Sequence, residues 1–312
     1  MMKRVLLLGV APVVLALPGC IGLSSDQDVA SAVAEDLPAL PDTWVVDGAP
    51  VGEVRIGWIE AVGDPVLTEL VLEAQANNPD IRAAAANLDA ARALVQQARA
   101  PLLPAINANF NADRTDTQFP FPIDQTIYSA TLQGSWEVDL WGRVRSGRNA
   151  AYASAQAVEA DLRFAQYSLA AGVASAYFAG VEAAEQVSVA NRTVEALAEI
   201  DRIVQVRYRE GFASRQDTAT TSSDLESARD SLAQAENAAR NAKRALEVLC
   251  GRYPAQNVAI AESQPTAPPP PPAGLPAELL ERRPDVIAAE RRVASAFANL
   301  DRRKLRSSRR SC

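Results

Sequence analysis

Ile106-Asn107-Ala108-Asn109-Phe110-Asn111-Ala112-Asp113 and, further along the chain, Tyr128-Ser129-Ala130-Thr131-Leu132-Gln133-Gly134-Ser135-Trp136-Glu137-Val138-Asp139 alternate apolar with polar side chains. A β-strand sends successive side chains to opposite faces, so this period-two pattern predicts two strands, about 104–116 and 127–139, each apolar on one side and polar on the other. Each has roughly the 9 to 11 residues that a tilted barrel strand needs to cross a bilayer. Thr117 to Thr126, with Pro120 and Pro122, reads as an exposed loop between them. A soluble hairpin lying on a core shows the same alternation, and the strands alone leave both readings open.

The flanking segments have a different period. From Trp141-Gly142-Arg143 onward no proline occurs until Pro254, and helix-compatible sequence runs over about 143–210. A helix of roughly 68 residues rises about 100 Å, a reach few soluble domains need. Val158, Leu162, Ala165, Leu169, Gly172, Ala176 and Ala179 follow a three–four spacing, which predicts a coiled-coil seam with many small residues. A second helix, about 214–250, carries Leu225, Ala228, Leu232, Ala235, Ala239, Ala242, Leu246 and Leu249 at the same spacing. Between the two, Gly211 suits a left-handed C-terminal cap, and Ser214 with Asp217 fits a capping-box variant. The pair should form an antiparallel hairpin with a tight tip.

Upstream, Asp64-Pro65 and Asn78-Pro79 each place a capping side chain before a proline at the first helical position, so the chain should start a helix, break and restart, ending near Arg99. Downstream, Pro254, Pro265 and the run Pro268 to Pro272 make 252–276 a Pro-rich strap of extended character. An internal repeat follows. Asn78-Pro79-Asp80-Ile81-Arg82-Ala83-Ala84 aligns with Arg283-Pro284-Asp285-Val286-Ile287-Ala288-Ala289, and Leu88, Ala91 and Ala93 keep the same offset to Val293, Ala296 and Ala298. The stretch 277–300 therefore reads as the start of a second copy of the unit 64–251.

At the N-terminus, Lys3 and Arg4 precede an apolar run from Val5 to Leu17 that is too short to span a bilayer and has the form of a secretory signal over 1–19. It ends in Leu17-Pro18-Gly19-Cys20, similar to a bacterial lipobox, after which Cys20 would be acylated. Ile21, where Asp is absent, favours the outer membrane. An ordinary cleavage site beside an incidental cysteine is the alternative. Residues 20–63, with Pro38, Pro41 and Pro50, read as the anchor and an extended lead.

Composition excludes several classes. The chain has 312 residues, 48% hydrophobic but only 5% aromatic, which favours long alanine-rich helices over a thick globular core. A net charge of −7 argues against nucleic acid as a partner. The basic run 301–312, with Arg302, Arg303, Lys304 and Arg306, is expected to be a solvated, disordered tail. There is no histidine, and Cys20, Cys250 and Cys312 lie too far apart for a metal pattern. No phosphate loop or nucleophile motif is present, so neither catalysis nor a cofactor is expected.

With these residues in hand, the chain resembles the TolC/OprM family of outer-membrane efflux ducts, in its NodT-like lipoprotein subgroup. The resemblance is carried by Leu17-Pro18-Gly19-Cys20, by Trp136-Glu137-Val138-Asp139-Leu140-Trp141-Gly142-Arg143, by the tip Gly211 to Asp217, by Leu246-Glu247-Val248-Leu249-Cys250-Gly251, and by Leu279-Leu280-Glu281-Arg282-Arg283-Pro284-Asp285. It implies a mainly α fold with a membrane β-hairpin: long antiparallel coiled-coil helices plus two transmembrane strands, part of a trimeric α/β-barrel duct. It further implies a passive exit for small molecules, working with a periplasmic adaptor and an inner-membrane pump and needing no catalytic residue. On this mapping Asn107, Asn109, Thr131, Gln133 and Glu137 line the lumen, and Ile106, Phe110, Leu132 and Trp136 face outer-membrane lipid. Gly211, Ser214 and Asp217 form the adaptor-contact tip. The charged, serine-rich run Asn299 to Cys312 departs from the family pattern, which leads to the expectation that the second repeat breaks off early and that this chain alone does not close a barrel. A lipid-anchored periplasmic scaffold without a pore, and a duct for one-step protein secretion, are the rival readings.

Overall fold

The structure, a computed structural model, describes residue 31 and residues 57–117, 123–261, 263–265, 267 and 278–308. The expected signal segment, Cys20, the hairpin loop with Pro120 and Pro122, the run Pro268 to Pro272, and Cys312 lie outside the described residues.

A short helix α1 (Trp58–Val62) is followed by α2 (Pro65–Asn77) and α3 (Pro79–Arg99). Both longer helices start on a side-chain cap. Asp64 Oδ1 accepts from the N–H groups of Val66 and Leu67 at 2.8 and 3.2 Å, and Asn78 Oδ1 accepts from Asp80 and Ile81 at 2.8 and 3.4 Å. Proline at the next position has no N–H to lose there and forces the preceding residue out of helix, which is why the chain bends at Asn78. Asn78 Nδ2 also donates to Leu249 O at 2.9 Å, docking the bend onto a helix far along the chain.

A 3-10 turn leads into the antiparallel pair β1 (Ala105–Thr117) and β2 (Ile123–Ser135). The second strand lies four residues earlier than the alternation predicts, so Trp136 and Glu137 are not strand positions. Pairing stops at Ala105 opposite Ser135 because Pro104 and Pro101 precede β1 and offer no N–H to continue the ladder. The residues beyond Ser135 instead turn the chain into α4 (Arg143–Arg209), a helix of 67 residues. Next come α5 (Arg215–Leu249), α6 (Glu278–Arg282) and α7 (Pro284–Ser308).

The core sits where α2, α4 and the end of α5 meet. Leu67, Leu70 and Val71 pack against Val173, Tyr177 and Val181 of α4, with Leu246, Cys250 and Val258 completing the cluster. On α4 this shifts the expected seam: Ala170, Val173, Ala174, Tyr177 and Val181 are buried, whereas Leu169, Gly172 and Ala176 are half-buried and Ala179 is exposed. Alanines on several faces let either stripe read as apolar, and Tyr177 belongs to the buried one. On α5, Leu225, Ala228 and Leu246 of the predicted seam are buried and the others half-buried. α5 closes at Gly251 with φ 72°, in a Schellman arrangement: Gly251 N–H donates to Val248 O and Arg252 N–H to Glu247 O. A Cβ on Gly251 would lie 2.7 Å from Asn77 O.

α7 packs on α4, the helix that α3 also covers. The Arg292 guanidinium reaches Asp161 at 2.6 Å and Ser295 Oγ donates to Ala150 O at 2.8 Å. The expected disordered tail is corrected over residues 301–308, for α7 continues to Ser308 and buries Asp301 and Leu305, while residues 309–312 lie outside the described residues. Charge composition suggested solvation, but Asp301 and Leu305 keep the helical spacing of the packed face.

Candidate functional site

Two regions carry the expected site residues, and they lie at opposite ends of α4. In the hairpin, Asn107 pairs with Gln133 and Asn109 with Thr131, so these four side chains share one face. Ile106 opposite Gly134, Ala108 opposite Leu132 and Phe110 opposite Ala130 form the other. Ile106, Phe110 and Leu132 are 71%, 69% and 75% exposed, which leaves the apolar face without protein cover. Phe110 and Tyr128 stack across the strands with ring centroids 6.4 Å apart. Farther out, Arg114 bonds Asp124 through both carboxylate oxygens at 3.1 and 3.0 Å on this same face, and the apolar band ends there.

The other two predicted positions belong to the strand–helix junction. Trp136 Nε1 donates to Leu102 O at 3.1 Å, and Glu137 pairs with Arg143 at 3.1 Å. Asp139 caps α4: its carboxylate accepts from the N–H groups of Val144 and Arg145 at 3.1 and 2.9 Å. Partial burial opposes ionisation of Asp139, but those N–H groups and the Arg145 guanidinium outweigh it and hold the carboxyl below its ordinary range. A two-faced hairpin is thereby joined directly to a helix about 100 Å long.

At the far end the tip is built by capping. Gly211 takes φ 80°, with Gly211 N–H donating to Tyr208 O and Phe212 N–H to Arg207 O. Ser214 N–H donates to Asp217 Oδ2 at 2.7 Å and Asp217 N–H to Ser214 Oγ at 3.1 Å, a reciprocal capping box that opens α5. The Ser214 N–H and then its hydroxyl hold the Asp217 carboxyl below its ordinary range. Gly211, Ser214 and Asp217 thus stand together in one exposed turn, beside Phe212. Just inside it, Asp201 accepts from Thr221 Oγ1 at 2.7 Å and Ser222 Oγ at 3.1 Å, tying α4 to α5.

The pattern reading missed a polar clamp at the foot of the helix pair. Glu247 is buried, and its carboxylate accepts from the N–H groups of Gln256, Asn257 and Val258 at 2.7, 2.6 and 3.1 Å. Burial alone raises its pKa, yet the N–H groups prevail and lower it. Tyr177 Oη donates to Asp64 Oδ2 at 2.5 Å and accepts from Ala261 N–H at 3.3 Å. Its phenol is pushed up to about 12 by burial and by the Asp64 carboxylate. These groups hold down the first part of the strap. The available signal was a glutamate inside the apolar run Leu246-Glu247-Val248-Leu249, next to a helix end whose following residues need acceptors.

Among the described residues no group of three or more His, Cys, Asp or Glu could hold a metal ion, and no helix is long and apolar enough to cross a membrane. Cys250 is a buried free thiol, pushed up to about 11 mainly by burial.

Residues 70–252 match the family model described as outer membrane efflux protein. The chain is 32% identical over 303 residues to the probable efflux pump outer membrane protein TtgC of Pseudomonas putida, covering 94% of this chain and 62% of that protein. It is 36% identical over 283 residues to the pyoverdine export outer membrane protein OpmQ of Pseudomonas aeruginosa, covering 84% and 58%. Among solved structures, the open state of the Neisseria gonorrhoeae MtrE outer membrane channel superposes with a TM-score of 0.67 at 28% identity, covering 86% of this chain and 62% of that one. The chain thus spans about three-fifths of the length of these relatives.

Proposed function

This chain belongs to the outer membrane efflux protein family, and we propose that it serves as the outer-membrane channel component of a tripartite efflux system, a passive exit duct for small molecules. The observation that carries this reading is the two-faced hairpin locked by Asp139 onto a helix of 67 residues. In hydrocarbon every backbone N–H and C=O must be paired, which an isolated two-stranded sheet cannot achieve at its edges. Further strands from copies of the same chain, in a homotrimer of the whole protein, would close the sheet. Asn107, Asn109, Thr131 and Gln133 then line the lumen, and Ile106, Phe110 and Leu132 face lipid. Glu137 sits below the strands, at the periplasmic mouth. Acylation of Cys20 adds a second attachment to the outer membrane, in keeping with the lipobox-like segment before it.

The helices carry the duct through the periplasm, and the exposed turn of Gly211, Ser214 and Asp217 meets the adaptor that links it to an inner-membrane pump. The pump supplies the driving force, so the duct needs no cofactor and catalyses nothing. The relatives TtgC and OpmQ are described as an efflux-pump and a pyoverdine-export outer membrane protein, in line with efflux of small molecules. The test is to express the chain with its adaptor and pump, fractionate the membranes, and cross-link from Ser214→Cys. Recovery with the outer membrane and cross-links to the adaptor are expected. Recovery with the inner membrane, or cross-links only from the hairpin, would overturn the reading.

A further inference from the structure

The strand–helix junction gathers positive charge in a chain whose net charge is −7. Arg99 ends α3, and Arg143, Arg145 and Arg148 open α4. α7 runs antiparallel to α4, from Arg292 beside Asp161 through Ser295 on Ala150 to Arg302 against Gly147. Arg302 and Arg143 line the same groove with Pro101, just below the first residue of β1. The last turns of α7, with Arg302, Arg303, Lys304 and Arg306, therefore end level with the base of the hairpin. Leu305 is buried and fixes which way this turn faces.

Over residues 99–104, 135–149 and 299–306 there are eight cationic side chains against three acidic ones, Glu137, Asp139 and Asp301. Glu137 and Asp139 are taken by Arg143 and Arg145. Asp301 is buried. Arg99, Arg302, Arg303 and Arg306 are exposed, and the half-buried Arg148 donates to the neutral amide of Asn149. Leu103, Trp136, Leu140 and Trp141 are exposed at the same level, so cations and apolar side chains share one belt.

We propose that this belt is a binding surface for the anionic headgroups of the membrane leaflet facing the helices. The inference rests on the hairpin crossing the bilayer as proposed above. That geometry puts the belt at headgroup depth, where lysine and arginine attract acidic lipid within about a Debye length of the surface. Charge complementarity and continuity with the lipid-facing strands select lipid as the occupant. Guanidinium groups suit it because they pair with phosphate through two parallel N–H bonds.

The test uses the full chain and vesicles of phosphatidylcholine with or without about 30 mol% phosphatidylglycerol. Arg302→Glu, Arg303→Glu and Arg306→Glu together should lower binding to the anionic vesicles by at least about tenfold at roughly 0.1 M salt, with neutral vesicles unaffected. A matched reversal on α5, at Arg229, Arg240 and Arg244, should change it little. Circular dichroism checks the fold, and the milder Arg→Gln set stands in if the glutamates unfold α7. Equal loss in both sets, no preference for anionic vesicles, or tighter binding to a labelled RNA would overturn the proposal. A polarity-sensitive dye on Leu132→Cys, with Cys20 and Cys312 changed to serine, reports hairpin insertion separately. A dye in water with the anionic preference intact would break the duct reading and leave the belt standing, whereas a dye in hydrocarbon with no preference would do the reverse.

Discussion

The foot of the helix pair and the β-hairpin use similar apolar residues to opposite ends. At the foot, Leu67, Val173 and Leu246 are fully buried, and the polar groups among them are paired: Asp64 with Tyr177, Glu247 with three backbone N–H groups. In the hairpin, Ile106, Phe110 and Leu132 form an equally regular apolar face that touches no core. The first region is complete within the chain. The second is a sheet with two open edges and an uncovered apolar side, and its stability has to come from outside; in the proposed duct, lipid would cover one face and further strands the edges.

The sharpest way to break this comparison is to truncate a leucine in each region. Leu67→Ala should cost about 3–5 kcal/mol of helical stability, because it opens a cavity in a closed core. Leu132→Ala should leave the unfolding of the helices in detergent unchanged within about 0.5 kcal/mol. Denaturation followed by helical circular dichroism measures both, and comparable losses would mean that the hairpin belongs to the same core.

Glu247→Gln comes next, at about 2–3 kcal/mol, since an amide oxygen replaces a charged acceptor and its NH₂ faces N–H donors. The folded pKa of Glu247 is depressed, so its contribution is complete above the ordinary glutamate pKa of about 4.3 and is lost as pH falls through the lower folded value. Tyr177 has the opposite sign. Its raised value stabilises the fold fully below about 10 and is lost as pH climbs toward about 12. Proteolysis within the strap should quicken in Glu247→Gln at neutral pH, and an unchanged cutting rate would remove the clamp from the account.

Gly251→Ala should cost about 2 kcal/mol from the left-handed φ and the approach of Asn77 O, visible as a lower midpoint in urea. Ser214→Ala removes an N-cap and should cost about 1 kcal/mol. Hydrogen exchange should show that loss at the tip alone, with the foot unmoved. Protection lost along the whole of α5 would show that tip and foot unfold as one unit.

Much of this contrast was legible in the residues. Period two marked the hairpin, and Gly211, Ser214 and Asp217 marked the turn because caps depend on local geometry. Pattern placed the two sides of the sheet but not the end of β2: the alternation runs on through Trp136 and Glu137, and the missing N–H donors of Pro101 and Pro104, just ahead of the other strand, end the pairing. Asp139, Tyr177 and Glu247 escaped for a related reason. Their partners are backbone N–H groups or a carboxylate up to 113 residues away, and neither periodicity nor motif spacing encodes such contacts. α7 beyond residue 300 was hidden by its charge, although Asp301 and Leu305 keep helical spacing.

The most direct test of the sided hairpin is cysteine labelling in intact outer membranes, with Cys20 and Cys312 replaced by serine and Cys250 left buried. Single cysteines at Asn109, Thr131, Phe110 and Leu132 are challenged with a membrane-impermeant maleimide before and after detergent. Asn109→Cys and Thr131→Cys should label at once, and Phe110→Cys and Leu132→Cys only after solubilisation. Equal labelling of all four in the membrane would contradict the claim that this hairpin crosses the bilayer with one face in lipid and the other in water.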